Sequence, residues 1–264
     1  MYQWHPHHVQ WGNISWGHAV SKDLVTWKDM HDWRGGAAVA LAPGPGEYDE
    51  LSVFTGTVQP VNITGGSDGT LLALYTSIRA LPTNWKLPYI PGTESQSLAT
   101  SVDGGKTWRK YKGNPVIEGH PKGWNITGFR DPFFQAWPEM DTLLGQEEEH
   151  FYMVMGSGIK DVGPRIPLYS AKKSDLTKWT FLGALWEPKM NETFGHIEAT
   201  GSFGYVTTRL LRREYRLTRT TLQLQLRSLQ LLLPERQRWQ GPLLRHDGCR
   251  GRQYPQPRPL VPLE

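Results

Sequence analysis

Along residues 1–205, apolar and polar positions alternate over short stretches or gather into brief apolar runs, and no long amphipathic helix is written there. Thr70–Ser77 and His150–Gly156 read as buried strands that end at small residues. Three further strand-like stretches, Gly17–Val20, Gln96–Thr100 and Leu168–Ala171, are each followed by a Ser-x-Asp pattern and then a Trp. The copies are Ser21-Lys-Asp-Leu-Val-Thr-Trp27, Ser101-Val-Asp-Gly-Gly-Lys-Thr-Trp108 and, within Lys173–Trp179, Ser174-Asp-Leu-Thr-Lys-Trp179. An Asp in this position can bond its own backbone and set a hairpin, with the Trp packing back beneath it. A strand–turn–Trp unit recurring roughly every 70–80 residues predicts an all-β body with radially arranged blades. Three unrelated hairpins are the simpler alternative.

Composition divides the chain. The net charge of +4 hides an acidic body and a basic tail. Residues 1–205 hold all 12 Lys and 5 Arg against 21 acidic residues, net −4. Residues 206–264 hold 12 Arg, no Lys and 4 acidic residues, net +8. The basic character therefore belongs to the tail and does not mark the body as a partner of nucleic acid or membrane. The tail also lacks Ile, Phe and Asn, has Trp only at Trp239, and ends in a Pro-rich run from Gln253. We expect it to be disordered or not native to the domain before it. The abrupt change to Arg alone favours an out-of-frame or mis-spliced segment over a regulatory tail. The 12 Trp and 28 Gly suit an all-β or sugar-binding body. The single Cys249 excludes an intrachain disulfide. Four N-glycosylation sequons, at Asn13, Asn62, Asn125 and Asn191, lean towards the secretory path, although no signal peptide or transmembrane run is present.

Three motifs carry the chemistry, and their order matters as much as their content. The first is Tyr2-Gln-Trp-His-Pro6, then Trp11-Gly-Asn-Ile-Ser-Trp-Gly-His-Ala-Val-Ser21, continuing through Trp27. Next come Val53-Phe-Thr-Gly-Thr57 and Gly128-Phe-Arg-Asp-Pro132. In this order they resemble glycoside hydrolase family 32, the invertase and inulinase group. The resemblance covers about residues 1–205 and implies a five-bladed β-propeller, incomplete here with about three blades present. It also implies a retaining two-carboxylate attack on β-fructofuranosides of the sucrose, inulin or levan type. By the same resemblance Gln3 and Trp11 would line the fructose subsite, with Phe54 beside the sugar. Asp131 would hold ring hydroxyls and stabilise the oxocarbenium-like transition state. Arg130 could keep that carboxylate ionised and touch the sugar itself. Trp16 and Trp27 are expected in the core under the blade.

The sequence departs from the family at the reacting carboxylates, which a retaining enzyme holds about 5–5.5 Å apart. The nucleophilic Asp of a Trp-x-Asn-Asp-Pro-Asn segment has no counterpart, and the chain is expected to start after it. Glu187, in Trp186-Glu-Pro188, is a possible acid/base, Glu198 a weaker one. A third reading is that the acid/base Glu is missing, because the family's segment for it would follow Tyr205, where this sequence diverges. The chain as written is therefore expected to be inactive. Two alternatives stay open: a non-catalytic carbohydrate-binding propeller or inert fragment, and a sialidase-like Asp-box propeller. The latter needs three clustered arginines, and the body has Arg34, Arg79, Arg109, Arg130 and Arg165. No cofactor is expected. His5, His7 and His8 suggest loop histidines near a sugar rather than a metal site. The expected partner is a fructose-containing oligo- or polysaccharide, the parent enzyme is expected to be secreted, and oligomeric state is left open.

Overall fold

The structure, a computed structural model, describes residues 1–7, 12–31, 35–36, 39–80 and 88–188. Within them the chain is all-β apart from one short helix. The first unit comprises β1 (Tyr2–Trp4), β2 (Ser15–Gly17), β3 (Ala19–Ser21), β4 (Trp27–Asp29) and β5 (Val39–Leu41). Here β1, β2 and β5 form one small sheet, and β3 and β4 form a two-stranded ribbon. The second unit is β6 (Ser52–Gln59), β7 (Leu71–Ile78), β8 (Glu94–Ser101) and β9 (Arg109–Lys110). The third is β10 (Ile126–Ala136), β11 (His150–Ile159), β12 (Gly163–Lys172) and β13 (Thr180–Trp186). Both larger sheets are antiparallel with strands in sequence order, and no described sheet closes on itself.

Alternation along β7 explains the stacking. Leu72 and Leu74 join Leu98, Phe129, Phe134 and Met153 in a core between the second and third units. Ala73 and Tyr75 join Trp16, Leu41, Val53 and Ala99 on the side of the first unit. Because side chains of a strand point alternately to opposite faces, the second sheet is buried on both. Strand β11 repeats the scheme: Phe151, Met153 and Met155 face the shared core, while Tyr152 and Val154 pack outward under the helix. Each fully buried Leu or Phe contributes about 1.5–3 kcal/mol, so these shared cores bind neighbouring sheets to one another.

The helix α1 (Pro138–Leu144) links β10 to β11. Sequence patterning missed it, although its signals are present. Pro138 opens the first turn, and Gly145 closes the last with φ 66°, a left-handed conformation open to glycine. Its Met140 and Leu144 are buried against Tyr152 and Leu168.

All three Ser-x-Asp copies are hairpin turns, between β3 and β4, β8 and β9, and β12 and β13. Asp23 Oδ1 accepts from the amides of Val25 (2.9 Å) and Thr26 (2.7 Å). Asp103 Oδ1 accepts from Lys106 and Thr107 (both 3.0 Å), and Asp175 Oδ1 from Thr177 (3.1 Å). These bonds hold the Asp23 and Asp175 carboxyls down at about 2, with the Lys178 side chain the largest contributor at Asp175. The tryptophans differ. Trp108 and Trp179 are half-buried and donate their indole N–H to Gly105 and Leu176 carbonyls. Trp16 is buried, as expected. Trp27 corrects its expectation: it is 57% exposed. Its ribbon has only two strands, and no third strand pairs beside it among the described residues.

Candidate active site

The predicted sugar-binding residues that are described stand on the first strand of each unit. Gln3 is on β1, Phe54 on β6, and Arg130 with Asp131 on β10. Side chains tie these strands together. Gln3 Nε2 donates to Thr55 Oγ1 (2.5 Å), Thr57 Oγ1 to the Pro132 carbonyl (2.7 Å), and Gln59 Nε2 to the Phe134 carbonyl (2.7 Å). Between β1 and β6 lies a shallow depression of about 260 Å³, lined by Tyr2, Gln3, Trp16, Thr55 and Gly56 among others. Arg130 and Asp131 are not in its lining. They stand on the next first strand along.

Asp131 occupies a β-bulge. The β10–β11 ladder runs from Arg130 opposite Gly156 to Phe133 opposite Val154, which leaves Asp131 and Pro132 against one residue. Asp131 has φ 62°, the left-handed region that Asp tolerates better than most residues. Its amide, freed from the ladder, donates to Thr76 Oγ1 on β7 (3.0 Å). Thr76 Oγ1 donates to Gln96 Oε1 (3.0 Å), and Gln96 Nε2 donates to the Phe129 carbonyl (2.8 Å).

The electrostatics around Asp131 differ from expectation. Arg130 Nε pairs with the fully buried Glu94 of β8, not with Asp131. Burial pushes the Asp131 carboxyl up to about 7, with Arg130 opposing the rise and Glu94 adding to it. Arg130 therefore does not hold Asp131 in the ordinary carboxylate range. Its Nε is engaged by Glu94, so the charge of one guanidinium acts on two carboxylates. Arg130 Nη2 is buried with no protein partner, and no described side chain bonds the Asp131 carboxylate.

Phe54 is 1% exposed and packs with Ile14 and Ile78 rather than reaching an open surface. The β6 register shifts between Val53 and Gly56, and at this bulge Thr55, not Phe54, reaches Gln3. Glu187 follows β13, the strand farthest from β10 in its sheet, about 14 Å away at ~4.8 Å per strand. Its side chain is 55% exposed, with Arg165 Nε 3.6 Å away. The structure does not bring Glu187 to Asp131. Trp11, Glu198, His8, Asn191 and the tail from 206 lie outside the described residues. His7 N donates to His5 Nδ1 (3.2 Å), and no cluster fit for a metal ion occurs among the described residues.

Residues 1–210 match the family model described as "Glycosyl hydrolases family 32 N-terminal domain". The chain belongs to glycosyl hydrolase family 32. Among its relatives is the levanase of Bacillus subtilis (strain 168), 35% identical over 201 residues, 70% of this chain and 24% of the levanase. The invertase of Debaryomyces hansenii is 36% identical over 168 residues, 59% of this chain and 27% of that protein. An Aspergillus kawachii β-fructofuranosidase structure, complexed with glycerol, aligns with TM-score 0.58 and 38% identity over 67% of this chain and 28% of that one. The chain spans about a quarter of the length of the curated relatives it matches. Residues Arg130-Asp131-Pro132 fall inside the matched stretch. The partners that hold them, Glu94, Thr76 and Gln96, were not read from the sequence. One signal was available. Glu94 and Gln96 lie two apart in a strand with no other charged residue, so both point to the same face.

Proposed function

We propose that this chain is the sugar-holding part of a retaining β-fructofuranosidase, built as a five-bladed propeller of which about three blades are present. The observation that carries the reading is Asp131, held in a bulge on a first strand of a family 32 chain, its carboxylate bonded by no side chain among the described residues. Two four-stranded sheets in sequence order, preceded by a smaller unit, support the blade assignment. A fructosyl unit offers hydroxyl donors. Those donors favour the ionised Asp131 and pull its proton affinity back down. As positive charge develops on the sugar ring, the same bonds strengthen, which lowers the barrier rather than merely tightening binding. Gln3 supplies a polar contact two first strands along, on β1, and Arg130 Nη2 supplies a donor.

Cleavage itself requires a nucleophile and an acid/base. The 264 residues contain no Trp-x-Asn-Asp-Pro-Asn segment, and Glu187 follows β13, at the opposite edge of the sheet from the strand that carries Asp131. This polypeptide by itself holds a fructosyl unit and does not cut it. The parent protein acts on sucrose, inulin or levan, in keeping with relatives named levanase, exo-inulinase and invertase. Secretion of the parent fits relatives named extracellular and the exposed sequon residues Asn13 and Asn125.

The test uses the purified chain and its Asp131→Ala variant. Fructose binding is expected in the parent chain and weakened at least about tenfold, ~1.4 kcal/mol, in the variant. Neither protein is expected to release fructose from sucrose, inulin or levan. Release by the parent chain above the variant overturns the non-cleaving assignment. Absence of fructose binding by the parent chain overturns the sugar-holding one.

A further inference from the structure

Behind the Arg-Asp-Pro segment stands a carboxylate with no assigned role. Glu94 is 0% exposed, and both its oxygens are engaged with the neighbouring sheet. One accepts from Arg130 Nε and the other from the Phe129 amide (2.5 Å). The bulge explains the need. The β10 ladder slips between Arg130 and Phe133, and β10 is the edge strand of its sheet, so backbone groups around Asp131 must find partners outside that sheet. Glu94, Thr76 and Gln96 supply them from the second unit. Of the three, only Glu94 also takes the charged group next to Asp131.

We propose that Glu94 is a positioning residue for the Arg130–Asp131 pair: by claiming the guanidinium and the Phe129 amide, it keeps Arg130 off Asp131 and leaves the Asp131 carboxylate open to sugar hydroxyls. The sugar-facing part of this role rests on the function proposed above, whereas the electrostatic part does not. Without Glu94, Asp131 is the other carboxylate that acts on the Arg130 guanidinium, and a closed Arg–Asp pair would compete with the sugar. With Glu94 in place, two carboxylates face one cation, and the surplus negative charge falls on Asp131.

The charged and titratable surroundings of Asp131 are few. Arg130 is on its own strand and Glu94 is on β8. Tyr89 lies close to Glu94 and Arg130, with the His120 ring edge-on to it at 5.9 Å. The flanking residues from β6 and β7, Thr57 and Thr76, are uncharged, as are Gly156 and Ser157 on β11. A buried ion pair serving only as glue would affect folding and leave Asp131's titration alone once the fold is kept. A positioning residue moves it.

The experiment follows the Asp131 side-chain carboxyl carbon by NMR across pH in the full chain, identifying its signal by its loss in Asp131→Asn. In the parent chain the midpoint is expected near 7, well above the ordinary carboxylate range. Glu94→Gln keeps the shape and removes one negative charge, so the midpoint should fall by about one pH unit or more. Fructose affinity should fall about tenfold as Arg130 turns to Asp131. Glu94→Asp, which restores the charge, should bring the midpoint back towards the parent value. A folded Glu94→Gln chain whose Asp131 midpoint is unchanged or raised overturns the proposal. So does a parent midpoint near the ordinary value of about 4, which needs no variant to fold. Fructose that leaves the Asp131 signal unmoved in the parent chain counts against the sugar-holding function alone. The response to Glu94→Gln would then still decide the electrostatic role.

Discussion

Removing the Asp49 carboxylate should loosen the junction between the first two units more than any other single exposed-loop substitution. Asp49 lies in the turn before β6, yet its side chain is fully buried. Oδ1 accepts from the Gly44 amide (3.0 Å) and Lys110 Nζ (2.8 Å); Oδ2 accepts from Tyr75 OH (3.0 Å). Burial, reinforced by Asp49, keeps the Tyr75 hydroxyl far above the usual tyrosine range, so it stays a proton donor in need of an acceptor. Asp49→Ala strands the Gly44 amide and leaves Tyr75 only the Tyr48 hydroxyl at 3.4 Å. Breaking one side of a buried ion pair costs about 3–5 kcal/mol. Lys110 is 21% exposed and has Glu47 3.7 Å away as a substitute, so the low end applies, about 3 kcal/mol. At about 2–4 °C per kcal/mol for a domain of this size, the melting temperature should drop roughly 6–12 °C. Denaturant unfolding with Asp49→Ala, Lys110→Met and the double variant measures both the loss and the coupling. A loss under about 1 kcal/mol, or a coupling indistinguishable from zero, refutes the reasoning.

Two further substitutions probe the strands and turns. Gly56→Ala would set a Cβ 2.1 Å from the Leu74 carbonyl oxygen and 2.6 Å from Tyr75 Cα, both backbone atoms that cannot step aside. We expect a loss of about 1–3 kcal/mol in denaturant unfolding, and retention of full stability would sink the clash. Asp103→Ala should free the β8–β9 turn, read as faster hydrogen exchange at the Lys106 and Thr107 amides that its carboxylate holds. Hydrogen bonds from Thr107 and Ser101 depress the Asp103 carboxyl. For an acid with a depressed folded value, the stabilisation is present above its unfolded value near 3.9 and fades as pH falls through the folded one. The parent turn should therefore stay protected at pH 5 and open only in strong acid. Protection that is already lost at pH 5, or that survives the substitution, contradicts this.

What was legible in the sequence was local. The Ser-x-Asp turns could be read because each carboxylate bonds amides within four residues of itself. The same spacing was silent on burial. Trp27, Trp108 and Trp179 end similar short patterns, yet only the latter two meet a neighbouring core, because a tryptophan's cover comes from another sheet. Glu94 was invisible for a related reason. Its partners are 35 and 36 residues further on and in a different sheet. Asp131 was legible as a motif residue, but its proton affinity was not, since that depends first on its burial and then on the Arg130 and Glu94 charges around it.

The two motif segments of the larger sheets share a physical feature that the motifs themselves do not state. Phe54-Thr55 lies where β6 slips against β7, and Asp131-Pro132 lies where β10 slips against β11. A bulge re-aims side chains, at the expense of ladder bonds that must be replaced. In both cases the replacements come from the adjoining unit. Trp16 Nε1 donates to the Phe54 carbonyl (3.0 Å), Thr76 Oγ1 accepts from the Asp131 amide, and Thr57 Oγ1 donates to the Pro132 carbonyl. Neither bulge is satisfied within its own sheet. The sugar-facing geometry is therefore a product of unit–unit packing, and it should be lost when that packing is weakened even if every motif residue is retained. Asp49→Ala, which touches no motif residue, is for that reason also expected to weaken fructose binding in proportion to the unfolding it causes.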